Sequence, residues 1–276
     1  MVQGPLAPFV KVNRARFSCA KTMLRTVFCS ELVRSSAEAS ITLDHLIFDR
    51  TPLFYREPKK IINDLQYGYF VTPISDTLRR LPQSPSFRES HFGEILATIF
   101  AEEVMGLRRI YSKLSLLTSE NSNAYKMDLV LYDPSTDPVD IVFGEVKSSP
   151  KVSPDGQPVR HDKSCFSSLF SSINGYSEDD SKYDLTAARD NVDNLQSPER
   201  ERVLKSLMPY SGARTRIAGI AVIDYTTKHD SELSLLATRK NPTSFDVDVV
   251  GVENFADVAD SVYSKLERLR QASCLE

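Results

Sequence analysis

The sequence predicts an α/β (α+β) fold, in which helices flank a mixed β-sheet and an N-terminal appendage precedes the core. Two short apolar runs, Met127–Tyr132 and Val139–Val146, are joined by turn residues and predict a β-hairpin. A β-branched run at residues 217–223 predicts a central strand that follows a helical region. An amphipathic pattern predicts a last helix over Phe255–Leu269. A strand, then helices, then another strand favours a parallel crossover connection.

The N-terminal third, residues 1–85, is predicted to be a region that contacts a partner or DNA, and residues 86–276 are predicted to form the core. The proline-punctuated stretch Arg79–Pro85 marks the boundary. Helical spacing predicts a helix within Phe17–Val33, and the apolar stretch Ile41–Phe54 predicts a strand.

The core is predicted to begin with a helix that ends near Gly106. Ser86 and Glu89 fit a capping box, with Ser86 as the N-cap. Glu94 lies away from the main apolar face, among small residues that permit close approach of a neighbouring element. From spacing alone, Glu94 either faces solvent or points into a tight interface.

The remaining elements complete the predicted core. A strand at Arg108–Thr118 precedes the hairpin, so three consecutive antiparallel strands are expected. Glu178–Asp180 is expected to be a solvated turn. The other predictions are helices at Phe166–Ile173, Asp184–Leu195 and Ser197–Met208, and strands at Arg214–Tyr225 and Phe245–Val252.

Length and composition exclude several classes of protein. The chain has 276 residues, of which 41% are hydrophobic and 26% charged, as in an ordinary globular protein. It has no apolar run of about 18 residues, so no membrane span is predicted. The N-terminus lacks the apolar region of a secretion signal, and we expect a cytoplasmic protein. The four scattered cysteines have no metal-binding spacing, which favours reduced packing residues.

Charge is distributed unevenly along the chain. Residues 1–90 carry 13 Lys and Arg against 8 Asp and Glu, whereas the rest carries 21 against 29. A basic N-terminal third is typical of a nucleic-acid contact surface. Its basic residues are dispersed, so an ordinary solvated surface is an equally good interpretation.

The hairpin carries charged residues that the packing of a strand does not require. Glu145 and Lys147 lie on one face of the second strand, with Val146 on the other. Antiparallel pairing returns the end of this strand to the start of the first, where Asp128 lies. Two carboxylates and an ammonium at one end of a sheet suit a divalent cation that keeps water and phosphate ligands. The alternative is a solvated Glu145–Lys147 pair at a strand edge; the full arrangement on two paired strands favours the cation site.

These residues resemble a known signature. Asp128 followed by Glu145-Val146-Lys147 is similar to the motif of the PD-(D/E)xK nuclease superfamily, although Met127 stands where a proline is usual. The stretch His91–Ala97 resembles the first core helix of that superfamily. More narrowly, the FGEILA, KMDLVL and GEVKSS segments resemble HamA, the nuclease subunit family of the Hachiman antiphage system.

The resemblance implies a restriction-endonuclease-like core and roles for particular residues. Asp128 and Glu145 would bind Mg²⁺ or Mn²⁺, and the carbonyl of Val146 would complete the coordination. Lys147 would orient or help to deprotonate the attacking water, and Glu94 would be an auxiliary ligand. The resemblance also implies a separate helicase subunit, since the chain has no GxxxxGK[ST] motif of its own.

Two hypotheses of different classes follow. In the first, the chain is a Mg²⁺-dependent deoxyribonuclease that acts in antiphage defence with a helicase partner. In the second, it is a non-catalytic adaptor that keeps the nuclease fold and binds DNA or a helicase. Only the first requires a divalent cation to bind at Asp128 and Glu145.

Overall fold

A computed structural model gives the fold of the protein. It describes residues 5–13, 24–32, 42–69, 72–117, 126–151, 153–154, 156, 158–160, 163–227 and 245–273. The strands are β1 (Val10–Asn13), β2 (Leu24–Leu32), β3 (Arg108–Ser112), β4 (Leu129–Asp133), β5 (Asp140–Ser149), β6 (Val159–Arg160), β7 (Lys163–Ser164), β8 (Thr215–Asp224) and β9 (Phe245–Val252).

Helices separate and cover these strands. They are α1 (Leu43–Arg50), α2 (Pro52–Tyr55), α3 (Pro58–Gln66), α4 (Thr72–Arg79), α5 (Pro85–Glu103), α6 (Lys113–Leu116), α7 (Cys165–Asn174), α8 (Glu178–Asn191), α9 (Glu199–Ser206) and α10 (Phe255–Ser273). Among the described residues, no helix is both long enough and apolar enough to span a membrane.

Within the described residues, seven strands form one mixed sheet in the order β1-β2-β9-β8-β5-β4-β3. Strands β2, β9, β8 and β5 are parallel neighbours, and antiparallel pairs lie at both edges. The sheet therefore confirms the predicted α/β fold, the three consecutive antiparallel strands and the parallel pairing of β5 with β8.

Alternating side chains of β5 pack against both faces of the sheet. Val142 and Val146 join a buried cluster with α5 and α10 on one face. Ile141 and Phe143 join a cluster with α8 and α9 on the other. Because both faces of β5 are covered, its sequence is an almost continuous apolar run. The charged residues near its end therefore stand out as exceptions to that environment.

Helix α5 confirms one sequence prediction and corrects another. Its N-cap is Ser84, whose hydroxyl accepts from the Phe87 N–H, so the predicted capping box at Ser86 is wrong. A proline at the first helical position explains the earlier start, since proline there loses no hydrogen bond. The chain leaves the helix through Gly106, whose φ of +74° is accessible to glycine at little cost.

The segment after α5 differs from the prediction. Only Arg108–Ser112 forms a strand, and the chain then turns into the short helix α6 instead of continuing to residue 118. Two hydrogen bonds from Arg80, at 3.3 Å to the Tyr55 carbonyl and 3.4 Å to the Leu117 carbonyl, tie the end of α6 to α2. The alternation of apolar residues predicted a strand up to residue 118. That pattern carries no information about tertiary contacts such as those of Arg80, so it could not predict the turn into α6.

Three further predictions are wrong for related reasons. Residues Glu178–Asp180 are the first turn of α8, which Ser177 caps with a capping box, and not a solvated turn. Acidic residues there interact favourably with the helix dipole. Leu24–Leu32 is a strand paired with β9 and not helical. The stretch predicted as a strand at Ile41–Phe54 instead contains α1 and most of α2, with its residue 41 outside the described part.

Residues on both sides of the predicted boundary share one buried cluster. Leu43, Ile47 and Tyr55 from the N-terminal third pack in the same cluster as α5 and α10. The Tyr55 hydroxyl also lies 2.8 Å from His91 Nδ1 and 2.9 Å from the Tyr263 hydroxyl. The division at residue 85 stays a prediction, and helices α1, α2 and α4 on its N-terminal side contribute side chains to the core.

We predict that Gly93→Ala destabilises the protein. A Cβ at Gly93 would lie 2.3 Å from the Ser148 Cβ, closer than two non-bonded carbon atoms can approach. The same change in an exposed helix would stabilise it by about 1 kcal/mol. Here we expect a loss of about 1–3 kcal/mol in the free energy of unfolding, measured by urea denaturation.

The double variant Gly93→Ala/Ser148→Gly is the matched test. It removes the two closest atoms and leaves the Ser148 Cα at 3.6 Å, an ordinary contact. We expect it to recover part of the lost stability relative to Ser148→Gly alone. Equal effects of Gly93→Ala in both backgrounds would show that the helix and strand are not in close contact there.

Candidate functional site

The hairpin register places Asp128 beside Glu145. Leu129, the first residue of β4, pairs with Gly144, so Asp128, which precedes Leu129, lies beside Glu145, which follows Gly144. The Asp128 N–H donates to the Gly144 carbonyl at 3.0 Å, which fixes this relation. The structure therefore brings together the two acidic residues that the sequence predicted as neighbours.

Asp128 is held by contacts from two elements. Its Oδ2 accepts from the Val146 N–H at 2.9 Å, and its backbone carbonyl accepts from the Lys113 N–H at 2.8 Å. Its Oδ1 lies 3.5 Å from the Lys113 ammonium. Asp128 lies immediately before β4, and its carboxylate supplies the acceptor that a further residue of β4 would have provided to β5.

The backbone of Val146 faces the same place. Because the N–H and C=O of one strand residue point to the same side, the Val146 carbonyl points towards Asp128, beyond the end of β4. The Val146 side chain is buried against the α5 face of the sheet. The predicted backbone ligand is therefore directed towards the Asp128 carboxylate.

Glu145 and Lys147 form an ion pair on one face of β5. The Lys147 ammonium lies 2.5 Å from Glu145 Oε1, as expected from strand alternation. The Glu145 side chain is 6% exposed and that of Lys147 is 19% exposed. Ser172 of α7 is a further hydrogen-bond partner of Glu145. The carboxylate is thus buried, whereas the lysine is more open to solvent.

Glu94 lies close enough to the same acidic pair for their charges to act on it. Its Oε2 is buried and has no hydrogen-bond partner among the described residues. Burial raises its pKa well above the ordinary value, and the charge of Asp128 raises it further. The close approach of α5 to β5 at Gly93 explains the burial of Glu94, so the interface interpretation fits the structure better than the solvent-facing one.

The cluster has an excess of negative charge. Burial raises the pKa of Glu145 to about 7, and the nearby charge of Asp128 adds to this, while Lys147 acts in the opposite direction. Two ammonium groups, those of Lys113 and Lys147, oppose three carboxylates. The arrangement therefore favours uptake of positive charge, either as protons or as a cation.

Sequence reasoning did not identify Lys113 or assign a role to His91. Lys113 lies in the segment predicted as a strand, and no motif marks it. His91 belongs to the stretch that resembles the superfamily helix, and its Nδ1 contacts the Tyr55 hydroxyl. Burial lowers the pKa of His91 to about 4, the Asp128 charge raises it and the Lys113 charge lowers it. At neutral pH this imidazole is therefore an uncharged neighbour of the cluster.

Asp184 of α8 was also missed as a support of the site. It is fully buried and accepts from the backbone N–H groups of Met127, at 3.2 Å, and Lys126, at 3.4 Å. The Tyr176 hydroxyl donates to it at 2.9 Å. These bonds fix the chain immediately before Asp128. A helix aspartate with this role shows no distinctive signal in the sequence.

The donor set suits an open site and not an enclosed one. In the part of the chain that the structure describes, no group of three or more His, Cys, Asp or Glu side chains is arranged to hold a metal ion. Two carboxylates and a backbone carbonyl are all oxygen donors, the type that Mg²⁺ prefers when it keeps several waters. The unpartnered Glu94 oxygen is a further donor nearby.

Comparison with known proteins decides the family. The HamA family model matches residues 19–266, which is most of the chain. The chain belongs to the HamA family. Membership places it among the components of Hachiman antiphage defence. The match begins well before residue 85, so it includes much of the N-terminal third as well as the core. A comparison with the curated proteins finds no match.

We predict that the stability of the metal-free protein falls as pH rises from about 4.5 to about 7. Glu145 has a raised pKa, so in this range the folded state binds more protons than the unfolded state. The stabilisation that Glu145 contributes is fully present below its ordinary pKa. It is lost as pH rises through the pKa of Glu145 in the folded state. The effect is on the order of a few kcal/mol.

Urea unfolding in EDTA at several pH values measures this contribution. Glu145→Gln should flatten the decline, because the amide does not titrate. The exposed Glu201→Gln is the matched control and should follow the wild type. Identical pH profiles for Glu145→Gln and the wild type would show that Glu145 titrates alike in the folded and unfolded chains.

Proposed function

We propose that this HamA protein is a divalent-cation-dependent nuclease of the PD-(D/E)xK type that cleaves DNA in Hachiman defence. The observation that carries the proposal is the meeting of Asp128, immediately before β4, and Glu145 of β5 at the end of the hairpin opposite its turn. The Val146 carbonyl points to the same place, and Lys147 is paired with Glu145. A mixed sheet covered by helices on both faces supports the superfamily assignment.

The cation would be Mg²⁺ or Mn²⁺, held by Asp128, Glu145 and the Val146 carbonyl, with Glu94 as an auxiliary ligand. These oxygen donors fit a hard cation, and the excess negative charge gives it a reason to bind. When bound, such a cation polarises a phosphate oxygen and activates water. We expect the remaining ligand positions to be available to water and to the substrate.

Lys147 would act on the reacting groups. Its ammonium lies at the end of β5, is more exposed than Glu145 and carries three N–H donors. It would orient the attacking water through a hydrogen bond and stabilise negative charge that develops on the phosphate. Its ion pair with Glu145 holds it in place before substrate arrives.

The rest of the site would keep these groups in position. Asp184 fixes the backbone at Met127, immediately before Asp128. The Val146 N–H then orients one carboxylate oxygen of Asp128. A preorganised site of this kind avoids the cost of arranging its charges during the reaction. These hydrogen bonds support a catalytic role more than an adaptor role. An adaptor would not need Asp128 and Glu145 to be held in fixed positions.

We further propose that a helicase subunit is the partner of this chain. The helix α3 in the N-terminal third has no buried residue. Ile62 on this helix is 52% exposed, and Tyr67, directly after it, is 80% exposed. Leu65 and Tyr69 are also exposed. Several exposed apolar side chains within one short stretch of chain are typical of a protein contact, and we assign this stretch to the helicase.

We predict that Lys147→Ala reduces DNA cleavage at least about a hundredfold, the usual effect of removing one electrostatic stabiliser. Asp128→Asn and Glu145→Gln should reduce it by a similar factor or more. The exposed Lys182→Ala should cleave as the wild type does. The assay follows cleavage with Mg²⁺, Mn²⁺ or EDTA. The substrates are supercoiled, linear and single-stranded DNA, with RNA as the alternative substrate.

Thermal melting shows whether each variant is folded before its activity is compared. A folded Lys147→Ala protein that cleaves DNA at the wild-type rate would refute the nuclease assignment. The adaptor hypothesis predicts that neither Mn²⁺ binding nor activity depends on Asp128 and Glu145. Isothermal titration with Mn²⁺ therefore separates the two hypotheses even if the isolated chain is inactive.

We predict that the isolated chain cleaves DNA weakly and that its helicase partner controls it. A nuclease without a base-reading motif would otherwise attack the DNA of its own cell. Ile62→Glu with Tyr67→Glu should abolish co-purification of the helicase, because two charges would be buried without partners. Glu201→Gln, which changes an exposed residue on α9, serves as the control.

Two results would count against this arrangement. Rapid and indiscriminate degradation of DNA by the isolated chain would remove the reason for control by a partner. Unchanged co-purification of the helicase with the Ile62/Tyr67 variant would place the contact elsewhere on the protein. The melting temperature of the variant is measured alongside, since both residues are exposed and little change is expected.

A further inference from the structure

Lys113 is placed to act on Asp128 in two separate ways. It is the first residue of α6, directly after β3. Its backbone N–H donates to the Asp128 carbonyl at 2.8 Å. Its ammonium lies 3.5 Å from Asp128 Oδ1, and its side chain is 18% exposed. Only the second contact depends on the lysine side chain.

Each acid of the proposed cation pair has its own lysine. Lys147 pairs with Glu145, and Lys113 pairs with Asp128. The two lysines come from different elements, β5 and α6. Lys147 follows Glu145 by two residues on one strand and belongs to the motif. Lys113 reaches the cluster only through the tertiary structure.

The two oxygens of Asp128 are not equivalent. Oδ2 accepts the Val146 N–H, whereas Oδ1 faces the Lys113 ammonium. A cation shared by Asp128 and Glu145 needs an oxygen of Asp128 that is not already committed to the backbone. Oδ1 is that oxygen, and the ammonium beside it has the same sign of charge as the cation. The two positive groups therefore compete for one carboxylate.

We propose that Lys113 is the internal counter-ion of Asp128, which a divalent cation displaces, so that Lys113 sets the cation concentration at which the site loads. The inference rests on the proposed function and adds a control on the same site. In the absence of cation, the ammonium keeps the Asp128 carboxylate from facing Glu94 and Glu145 without a counter-charge. When a cation binds, the ammonium moves away into the solvent that already reaches it.

The backbone contact makes the inference testable by substitution. A change of the lysine side chain leaves the N–H that holds the Asp128 carbonyl. Helix α6 is also held independently of the lysine side chain. Arg80 donates to the carbonyls of Tyr55, at the end of α2, and Leu117, directly after α6. Lys113→Met thus removes the charge and keeps an unbranched side chain of comparable length.

The test is isothermal titration of the full-length chain with Mn²⁺. We expect Lys113→Met to bind Mn²⁺ with a Kd about fivefold to tenfold lower than the wild type, as removal of a partly exposed competing charge would give. Lys113→Arg keeps the charge and should bind like the wild type. Lys126→Met removes an exposed lysine near Asp128 in sequence that pairs with Asp180 instead, and it should also leave the Kd unchanged.

Thermal melting supplies a second readout. In EDTA, we expect Lys113→Met to melt about 2–4 °C below the wild type, because Asp128 then lacks its counter-charge. Saturating Mn²⁺ should remove most of this difference, because the cation takes over that role. A purely structural lysine would leave the difference unchanged when Mn²⁺ is added.

The outcomes separate this inference from the proposed function. The counter-ion role would be overturned if Lys113→Met bound Mn²⁺ no more tightly than the wild type. The nuclease proposal would stay intact in that case, provided that the wild type binds Mn²⁺ and Asp128→Asn does not. Absence of Mn²⁺ binding by the wild type would overturn the cation site and the inference together. A lower Kd for Lys113→Met, together with an unchanged Kd for Lys126→Met, would support the counter-ion role of Lys113.

Discussion

The hydrogen bond between the Val146 N–H and the Asp128 carboxylate is the interaction on which the candidate site depends. It lies just before the first residue of β4, where β5 continues without a backbone partner from β4, so a side chain takes over from the backbone as acceptor. This exchange turns Asp128 towards β5 and directs the Val146 carbonyl to the same place. A hairpin that continued one residue further in regular pairing would satisfy its backbone and present no carboxylate there. The end of a strand is therefore what makes the site possible.

Close packing then determines the electrostatics of that place. Because Gly93 has no side chain, α5 lies closer to Ser148 of β5 than any other residue at position 93 would permit. The neighbouring Glu94 therefore lies next to this helix–strand interface. Burial of three acids in one small volume is unfavourable unless positive charge accompanies them. Lys147 and Lys113 supply part of it, while burial and, secondarily, the charge of Asp128 raise the pKa of Glu145. The same imbalance that lowers the stability of the metal-free protein is what would draw a cation into the site.

The N-terminal helices contribute to the site without supplying a ligand. Tyr55 hydrogen bonds to His91, one turn before Glu94 on α5, and Arg80 connects α2 to the segment that carries Lys113. The buried cluster is continuous from these helices to α10. A protein that binds the exposed surface of α3 would thus lie next to α4, which contacts α3 and contributes Leu78 to that buried cluster.

The sequence by itself determined the hairpin, the parallel pairing of β5 with β8 and the meeting of Asp128, Glu145 and Lys147. Alternation with a period of two and antiparallel return of the chain are local rules, and they suffice to place these three residues together. Helical spacing left Glu94 with two possible surroundings, because it gives the side of a helix but not what packs against that side. Lys113 was not predicted, since apolar alternation alone favoured a longer strand through it. Only the tertiary structure ended that strand at Ser112, through packing of α6 on α2, and so brought a second lysine to Asp128. Contacts between residues far apart in the chain have no periodic signal, which is why the tertiary structure was needed to place them.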